Sequence, residues 1–251
     1  MNYLIVGAGG QLATELERQS PSRSPDETRC LSVDQLDITD ADQVHAIVDD
    51  LRPDVVFNAA AWTDVDGAET ETARATAVNR DGPANLAAAC AAGNARLVHV
   101  STDFVFDGRR RSPYTTDCPT GPMGVYGATK LAGEQAVADR LGESALIVRT
   151  AWLYSPHGRN FVKTMVSLMR ERDHLRVVAD QRGTPTSAAS LARALWSLTD
   201  RRLSGLHHWT DGGDATWHEF ATAIHEAARR SGLLQHEVRI DPITSEDWPT
   251  P

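Results

Sequence analysis

An α/β fold built on a doubly wound parallel sheet is predicted by three observations. Short apolar runs of strand type alternate with helix-periodic segments from Tyr3 to Val148. The first run ends in a glycine turn that opens a helix, and the connections are long enough for crossovers that cover both faces of a sheet. The alternation loosens after Thr150, so a smaller C-terminal lobe is expected to follow.

Tyr3-Leu-Ile-Val6 is a strand of buried type, Gln11 to Gln19 a helix, and Cys30 to Val33 a second strand closed by Asp34. Ala41 to Leu51 carries Val44, Ile47, Val48 and Leu51 at helical spacing, and Pro53 stops it. Val55 to Phe57 is a third strand and Ala73 to Ala92 an alanine-rich helix. Leu97 to Val100 is a fourth strand, Tyr126 to Leu141 a helix, and Leu146 to Val148 a fifth strand. Beyond them, Phe161 to Met169 and Ser187 to Leu198 read as helices around a short strand at Val177-Val178, and Trp217 to Arg230 as a further helix. The expected division is residues 1–150 plus about 176–204 in a nucleotide-type domain, and about 151–175 plus 205–251 in a substrate-type lobe. The chain stops at Pro249-Thr-Pro251 without a closing element, so that lobe is expected to be truncated at its end.

Composition narrows the function. A net charge of −9 argues against a nucleic-acid or anionic-membrane partner. Arg109-Arg110-Arg111 is the one basic run and reads as a solvated loop tip. No apolar run approaches the roughly 18 residues of a membrane span. Cys30, Cys90 and Cys118 have neither paired nor metal-type spacing, which points to a reducing cytoplasm. Nine histidines raise the question of a metal. His218-Glu-x-x-Thr222 lacks the second histidine of a zinc site, and His207-His208 would point apart on a strand, so no metal is expected.

Gly7-x-x-Gly10-x-x-Ala13 lies between a strand and a helix, the context of a Rossmann-type phosphate loop. Glycines let the backbone approach a pyrophosphate, and the helix N-terminus offers N–H groups and a positive dipole end. Asp34, 21 residues after Ala13, suits the hydroxyls of an adenine ribose and would oppose a 2′-phosphate. Asp37-Ile38 could touch adenine, although both aspartates also suit turns and N-caps.

Lys130 and Lys163 are the two lysines among 25 basic residues, and Lys130 follows Tyr126 by four positions. On a helix these share a face. A compact cation there would favour phenolate and bring a phenol of ordinary pKa near ~10 towards working pH.

With the glycine loop, Asn58-Ala-Ala-Ala-Trp-Thr63, Ser101-Thr-Asp-Phe-Val-Phe-Asp-Gly108, Tyr126-Gly-Ala-Thr-Lys130, Arg149-Thr-Ala-Trp152 and Asp180-Gln-Arg-Gly-Thr-Pro-Thr186 in chain order, the sequence resembles the extended short-chain dehydrogenase/reductase superfamily. The likeness covers nearly the whole chain. The serine–threonine–aspartate and Asp-Gln-x-Gly-x-Pro-Thr segments are specific to the branch that reduces dTDP-linked 4-keto sugars.

The resemblance implies a catalytic set of Thr102, Tyr126 and Lys130. It implies an NADPH or NADH site lined by Gly7, Gly10, Gln11, Leu12, Asp34, Asp37, Ile38, Ala61, Trp62, Thr63, Val100, Tyr126 and Lys130. Thr102, Asp103 and Trp152 would face the nucleotide sugar, Trp152 by stacking on it or else by filling core. The implied reaction is reduction of the 4-keto group of dTDP-4-dehydro-6-deoxy-L-mannose by a cytoplasmic monomer or homodimer. The same superfamily also contains a non-catalytic NADP-binding regulatory subunit of methionine adenosyltransferase, and sugar-nucleotide epimerases and dehydratases. Retention of all three catalytic residues favours an enzyme, and Phe104 where dehydratases carry an acid favours simple reduction.

Overall fold

The computed structural model describes residues 1–20 and 27–248. Pro249-Thr-Pro251, on which the expected truncation rests, lies outside them. In chain order the elements begin with β1 (Tyr3–Val6), α1 (Gln11–Arg18), β2 (Thr28–Leu31), α2 (Ala41–Leu51), β3 (Val55–Asn58), α3 (Val65–Thr70) and α4 (Thr72–Thr76). A π-helical turn (Ala77–Asp81) leads into α5 (Gly82–Gly93), β4 (Arg96–Thr102), α6 (Val125–Leu141), β5 (Ala145–Thr150) and β6 (Leu153–Tyr154). Then come α7 (Phe161–Glu171), β7 (His174–Val178), β8 (Arg182–Gly183), β9 (Thr186–Ser187), α8 (Ala188–Asp200), β10 (Gly205–His208), β11 (Ala215–Thr216), α9 (Trp217–Arg230) and β12 (Arg239–Ile243).

Two compact units result, Met1–Thr150 with Ala189–Trp209 and Ala151–Ala188 with Thr210–Pro251. The first holds a six-stranded sheet in the order β10-β5-β4-β3-β1-β2, parallel throughout. Every residue of β1, β3 and β5 is buried, as a parallel sheet covered on both faces requires. One face packs α2, α5 and α6 through Val44, Val48, Leu86, Cys90 and Val137 against Leu4, Val56, Leu97 and Ile147. On the other, Trp196 of α8 lies against Tyr3 and Phe57 with ring centroids 4.9 and 4.5 Å away, and its indole N–H donates to the Leu16 carbonyl of α1. β1 feeds β2 on one side and β3 lies on the other, so their carboxyl ends flank the point where such sheets collect ligands.

Three expectations shift. The second strand is Thr28–Leu31 rather than Cys30–Val33, because Ser32 to Gln35 closes into a turn with Gln35 N–H donating to the Ser32 carbonyl at 3.0 Å. The helix expected over Ala73–Ala92 is broken by the π turn at Ala77–Asp81. Pro83 has no N–H for the Asn79 carbonyl, which frees the turn to widen there. Residues 205–209, expected in the second lobe, join the first unit because β10 pairs with β5. Residues 176–188 fall in the second unit, where β7 pairs with β12 over a core of Met169, Leu175, Ile224 and Leu234.

α6 approaches the π turn closely at Gly133, where an added Cβ would sit 2.1 Å from the Asn79 carbonyl oxygen. Gly133→Ala must therefore displace backbone, and a loss of roughly 1–3 kcal/mol is expected in denaturant melts. A wild-type midpoint in that variant would contradict the close packing.

Candidate active site

β1 delivers the chain into the Gly7–Gly10 turn, where Gly7 and Gly9 take φ of 100° and 84°. A Cβ on Gly7 would lie 2.8 Å from the Ala60 nitrogen, so the turn packs backbone to backbone against the segment leaving β3. α1 opens on Gly10, which brings no capping side chain to the helix N-terminus. Gln11 is half-buried at the first helical position, whereas Leu12 and Ala13 point into the core. Any contact Leu12 makes with a ligand would be through its backbone.

At the end of β2, Asp34 stands exposed in the Ser32–Gln35 turn. Asp37 is spent on local structure: its Oδ1 accepts from Thr39 N–H at 2.9 Å and Thr39 Oγ1 at 2.8 Å. The Ile38 side chain is buried against Gly82, and its carbonyl accepts from Asn85. After β3, Asn58 Oδ1 accepts from Ala60 N–H at 3.2 Å and its amide donates to His99 Nδ1 at 3.1 Å. This holds Ala61, Trp62 and Thr63 beside the glycine turn's neighbour Ala60.

The tyrosine, lysine and threonine converge at the carboxyl end of β4. Lys130, 2 % exposed, donates from Nζ to the Val100 carbonyl at 2.7 Å. Thr102 caps the turn after β4, accepting from Phe104 N–H and donating to Asp103 Oδ1, both at 3.2 Å. Its hydroxyl faces the Tyr126 phenol closely enough to favour the phenol's anion. Phe104 packs edge-on to the Tyr126 ring at 5.5 Å.

The electrostatics correct the expectation of an acidified phenol. Burial pushes the Tyr126 phenol up to about 12, and the neighbouring Asp103 charge pushes the same way against Thr102. Lys130 does not reverse this. Its ammonium is docked on β4 backbone, and burial lowers it to about 8 despite Glu134 one turn on. Desolvation of the phenolate thus outweighs the cation four residues away. Burial also raises the Asp103 carboxyl to about 6, against its hydrogen bonds to Thr102 and backbone N–H groups. His99, fully buried beside Lys130, is held neutral. The cluster therefore offers a protonated phenol, Tyr126, beside the Thr102 hydroxyl, with the Lys130 ammonium seated two residues back along β4 on Val100.

Two supports escaped sequence reading. Asn79, 1 % exposed in the π turn, accepts from Trp62 N–H at 2.9 Å and donates to the Trp62 carbonyl at 3.1 Å and Thr129 Oγ1 at 3.2 Å. It clamps the segment after β3 to the helix carrying Tyr126 and Lys130. Gly82-Pro83 just beyond it was the available signal of a break. The second support is the bidentate pair of Arg149 with Glu134, at 2.8 and 2.7 Å and both 5 % exposed. Arg149 lies in a segment that carried the resemblance, but nothing in its spacing from Glu134 announces a pair.

Trp152 belongs to the second unit. Its ring stacks on Trp217 with centroids 3.4 Å apart and fills the space over Gly183. His218 donates to the Ile240 carbonyl and Glu219 closes a capping box with Thr216, so both have structural work on α9.

The family profile of the RmlD substrate binding domain matches residues 1–251. A dTDP-4-dehydrorhamnose reductase of Streptomyces griseus is 46% identical, over 97% of this chain and 80% of its own. The crystal structure of a dTDP-4-dehydrorhamnose reductase from Clostridium acetobutylicum superposes with TM-score 0.94 at 41% identity, over all of this chain and 86% of that one. That of Bacillus anthracis, in complex with NADP, gives 0.92 at 37% identity, over all of this chain and 87% of that one.

Proposed function

The chain belongs to the RmlD family of dTDP-4-dehydrorhamnose reductases, and on that premise we propose that it reduces the 4-keto group of dTDP-4-dehydro-6-deoxy-L-mannose to dTDP-L-rhamnose, with NADPH or NADH as the reductant. The observation that carries the reading is the meeting of Thr102, Tyr126 and Lys130 at the end of β4.

A dinucleotide fits the residues present. The glycine turn cannot accept a Cβ at Gly7, and the α1 N-terminus that follows is left without a capping side chain, as a pyrophosphate requires. Gly7, Gly10, Gln11 and the Leu12 backbone would hold the pyrophosphate. Asp34 and the Asp37-Ile38 turn would flank the adenosine, and Ala61, Trp62, Thr63 and Val100 the remainder. The bound cofactor supplies the hydride.

Tyr126 would give its proton to the developing alkoxide, a task for which a phenol held near 12 is fully protonated at neutral pH. Thr102 would donate to the same oxygen and orient the carbonyl. Lys130 would hold the nicotinamide ribose hydroxyls from its seat on Val100. Asp103 would accept from a sugar hydroxyl, and Trp152 would contact the nucleotide sugar. Among the described residues no helix is long and apolar enough to cross a membrane. With three free cysteines, this supports a cytoplasmic setting, as a monomer or homodimer.

Purified protein should oxidise NADPH or NADH, followed at 340 nm, only when the keto-sugar nucleotide is added; no turnover with either cofactor defeats the assignment. A second expectation comes from Asp103. Its carboxyl is protonated below about 6 and charged above, so kcat/KM for the sugar nucleotide should rise with pH through that value. Asp103→Asn should flatten the profile, and an unchanged inflection in that variant would assign it to another group.

A further inference from the structure

Among the buried polar atoms that have no partner among the described residues are Ser101 Oγ, Arg149 Nη1 and His208 Nε2, on neighbouring strands near the carboxyl end of the sheet. Ser101 is in register with Arg149 across β4 and β5, and Arg149 with His208 across β5 and β10. In-register residues of a parallel pair point to one side, so the three share the face on which Glu134 of α6 grips Arg149. Phe106 lies against two of them, with its ring 5.0 Å from the Arg149 guanidinium and 5.7 Å from the His208 ring.

The donor and acceptor roles are fixed. Arg149 only donates, and its Nε and Nη2 are spent on Glu134, which leaves Nη1. His208 Nδ1 faces the Tyr114 carbonyl at 3.2 Å and must carry the hydrogen, so Nε2 is left as an acceptor. Burial and the Arg149 charge lower the pKa of His208, which keeps the ring neutral and that lone pair available. Ser101 can act either way. An anion would meet the histidine lone pair, and a cation the guanidinium. Glu134 already balances Arg149, so the occupant must be neutral and both donate and accept.

We propose that these atoms line a small chamber holding an internal water, which bridges Arg149 Nη1 to His208 Nε2 with Ser101 Oγ on its β4 side. The bridge joins two anchors of the catalytic groups. One is the Arg149–Glu134 pair, one helical turn beyond Lys130 on α6. The other is Tyr114, in the loop that links Asp103 to Tyr126. Tyr114 is held through its carbonyl by His208, through its hydroxyl by Asp107 at 2.6 Å, and through its ring by Phe106, stacked at 4.3 Å. His208 is thus a positioning residue for that loop. Leaving these atoms unsatisfied would be costly, and a polar space with three partners is where internal water resides.

A crystal structure of the full chain at about 1.5 Å, with and without a bromide soak, tests the site. Density within hydrogen-bond distance of both Arg149 Nη1 and His208 Nε2 is expected, without anomalous signal; a dry chamber or a bromide peak overturns the proposal. The coupling is read by hydrogen exchange over residues 107–121. His208→Leu should raise exchange there roughly ten- to a hundredfold. His208→Gln, whose amide supplies both a donor and an acceptor, should restore protection to within a few-fold of wild type. Equal exchange in the two variants overturns the positioning role. If His208→Leu does not fold, Ser101→Ala makes the same comparison, with a several-fold rise expected and no change counting against it. None of these readouts needs a substrate, so they are independent of the reductase assignment.

Discussion

Tyr126→Phe is expected to lower kcat for keto-sugar reduction by on the order of 10²–10⁴, the usual worth of a positioned proton donor. Affinity for the dinucleotide should stay within a few-fold of wild type. The ring is retained, so its edge-on packing with Phe104 at 5.5 Å survives. Lys130 keeps its seat on the Val100 carbonyl, which does not involve the phenol. Thr102 keeps its bonds to Asp103 and Phe104. The loss should therefore fall on the chemical step, visible in single-turnover kinetics as a slower hydride transfer with little change in the cofactor titration. A variant with wild-type kcat would remove Tyr126 from the mechanism and shift the donor role to Thr102 or water.

Arg149→Met should cost about 3–5 kcal/mol of stability, because it leaves the Glu134 carboxylate buried without its partner. That is a large share of the roughly 5–15 kcal/mol that holds an average domain folded. For a chain of this size it corresponds to a fall in Tm of about 10 °C. Removing both charges together, as in Glu134→Leu with Arg149→Met, should recover most of the loss, since hydrophobic replacement of a buried pair is often neutral. A single-variant loss under about 1 kcal/mol would mean that bulk solvent reaches the pair and screens it. The double variant also separates stability from positioning, because it restores packing without restoring the grip one turn beyond Lys130.

The elements that sequence reading placed best are those whose ends carry local chemistry. α2 runs over Ala41–Leu51 as expected because Asp40 caps its first turn, accepting from Gln43 N–H at 3.0 Å, and Pro53 follows its end. α9 runs over Trp217–Arg230 because Thr216 and Glu219 close a capping box. β10 was not recognised: Gly205-Leu-His-His208 has little strand character, and its pairing with β5 crosses more than fifty residues of chain. β12 carries Pro242, which a lone pair with β7 tolerates at an edge but a sequence pattern rejects.

The site divides along the same line. Tyr126 and Lys130 are legible as a pair from residue type and spacing on one helix face, whereas Thr102 enters only through the family resemblance of the segment at the end of β4. The sign of the Tyr126 shift is not legible, because it depends on how much solvent the fold removes from the phenol. Lys130 illustrates the point. Spacing placed its ammonium by the phenol, whereas the backbone carbonyl of Val100 holds it. Asn79 joins two segments that lie 17 and 50 residues from it in sequence, a relation that only the folded chain displays.

The most direct measurement is the ionisation of Tyr126 itself. With four tyrosines in the chain, ¹³C labelling at Cζ and the Tyr126→Phe variant assign its resonance unambiguously. A signal that stays that of a neutral phenol through pH 10, and moves only as the pH approaches about 12, is the expected result. A titration between pH 6 and 8 would mean that Lys130 acidifies the phenol after all, and would contradict a catalytic tyrosine kept neutral by burial.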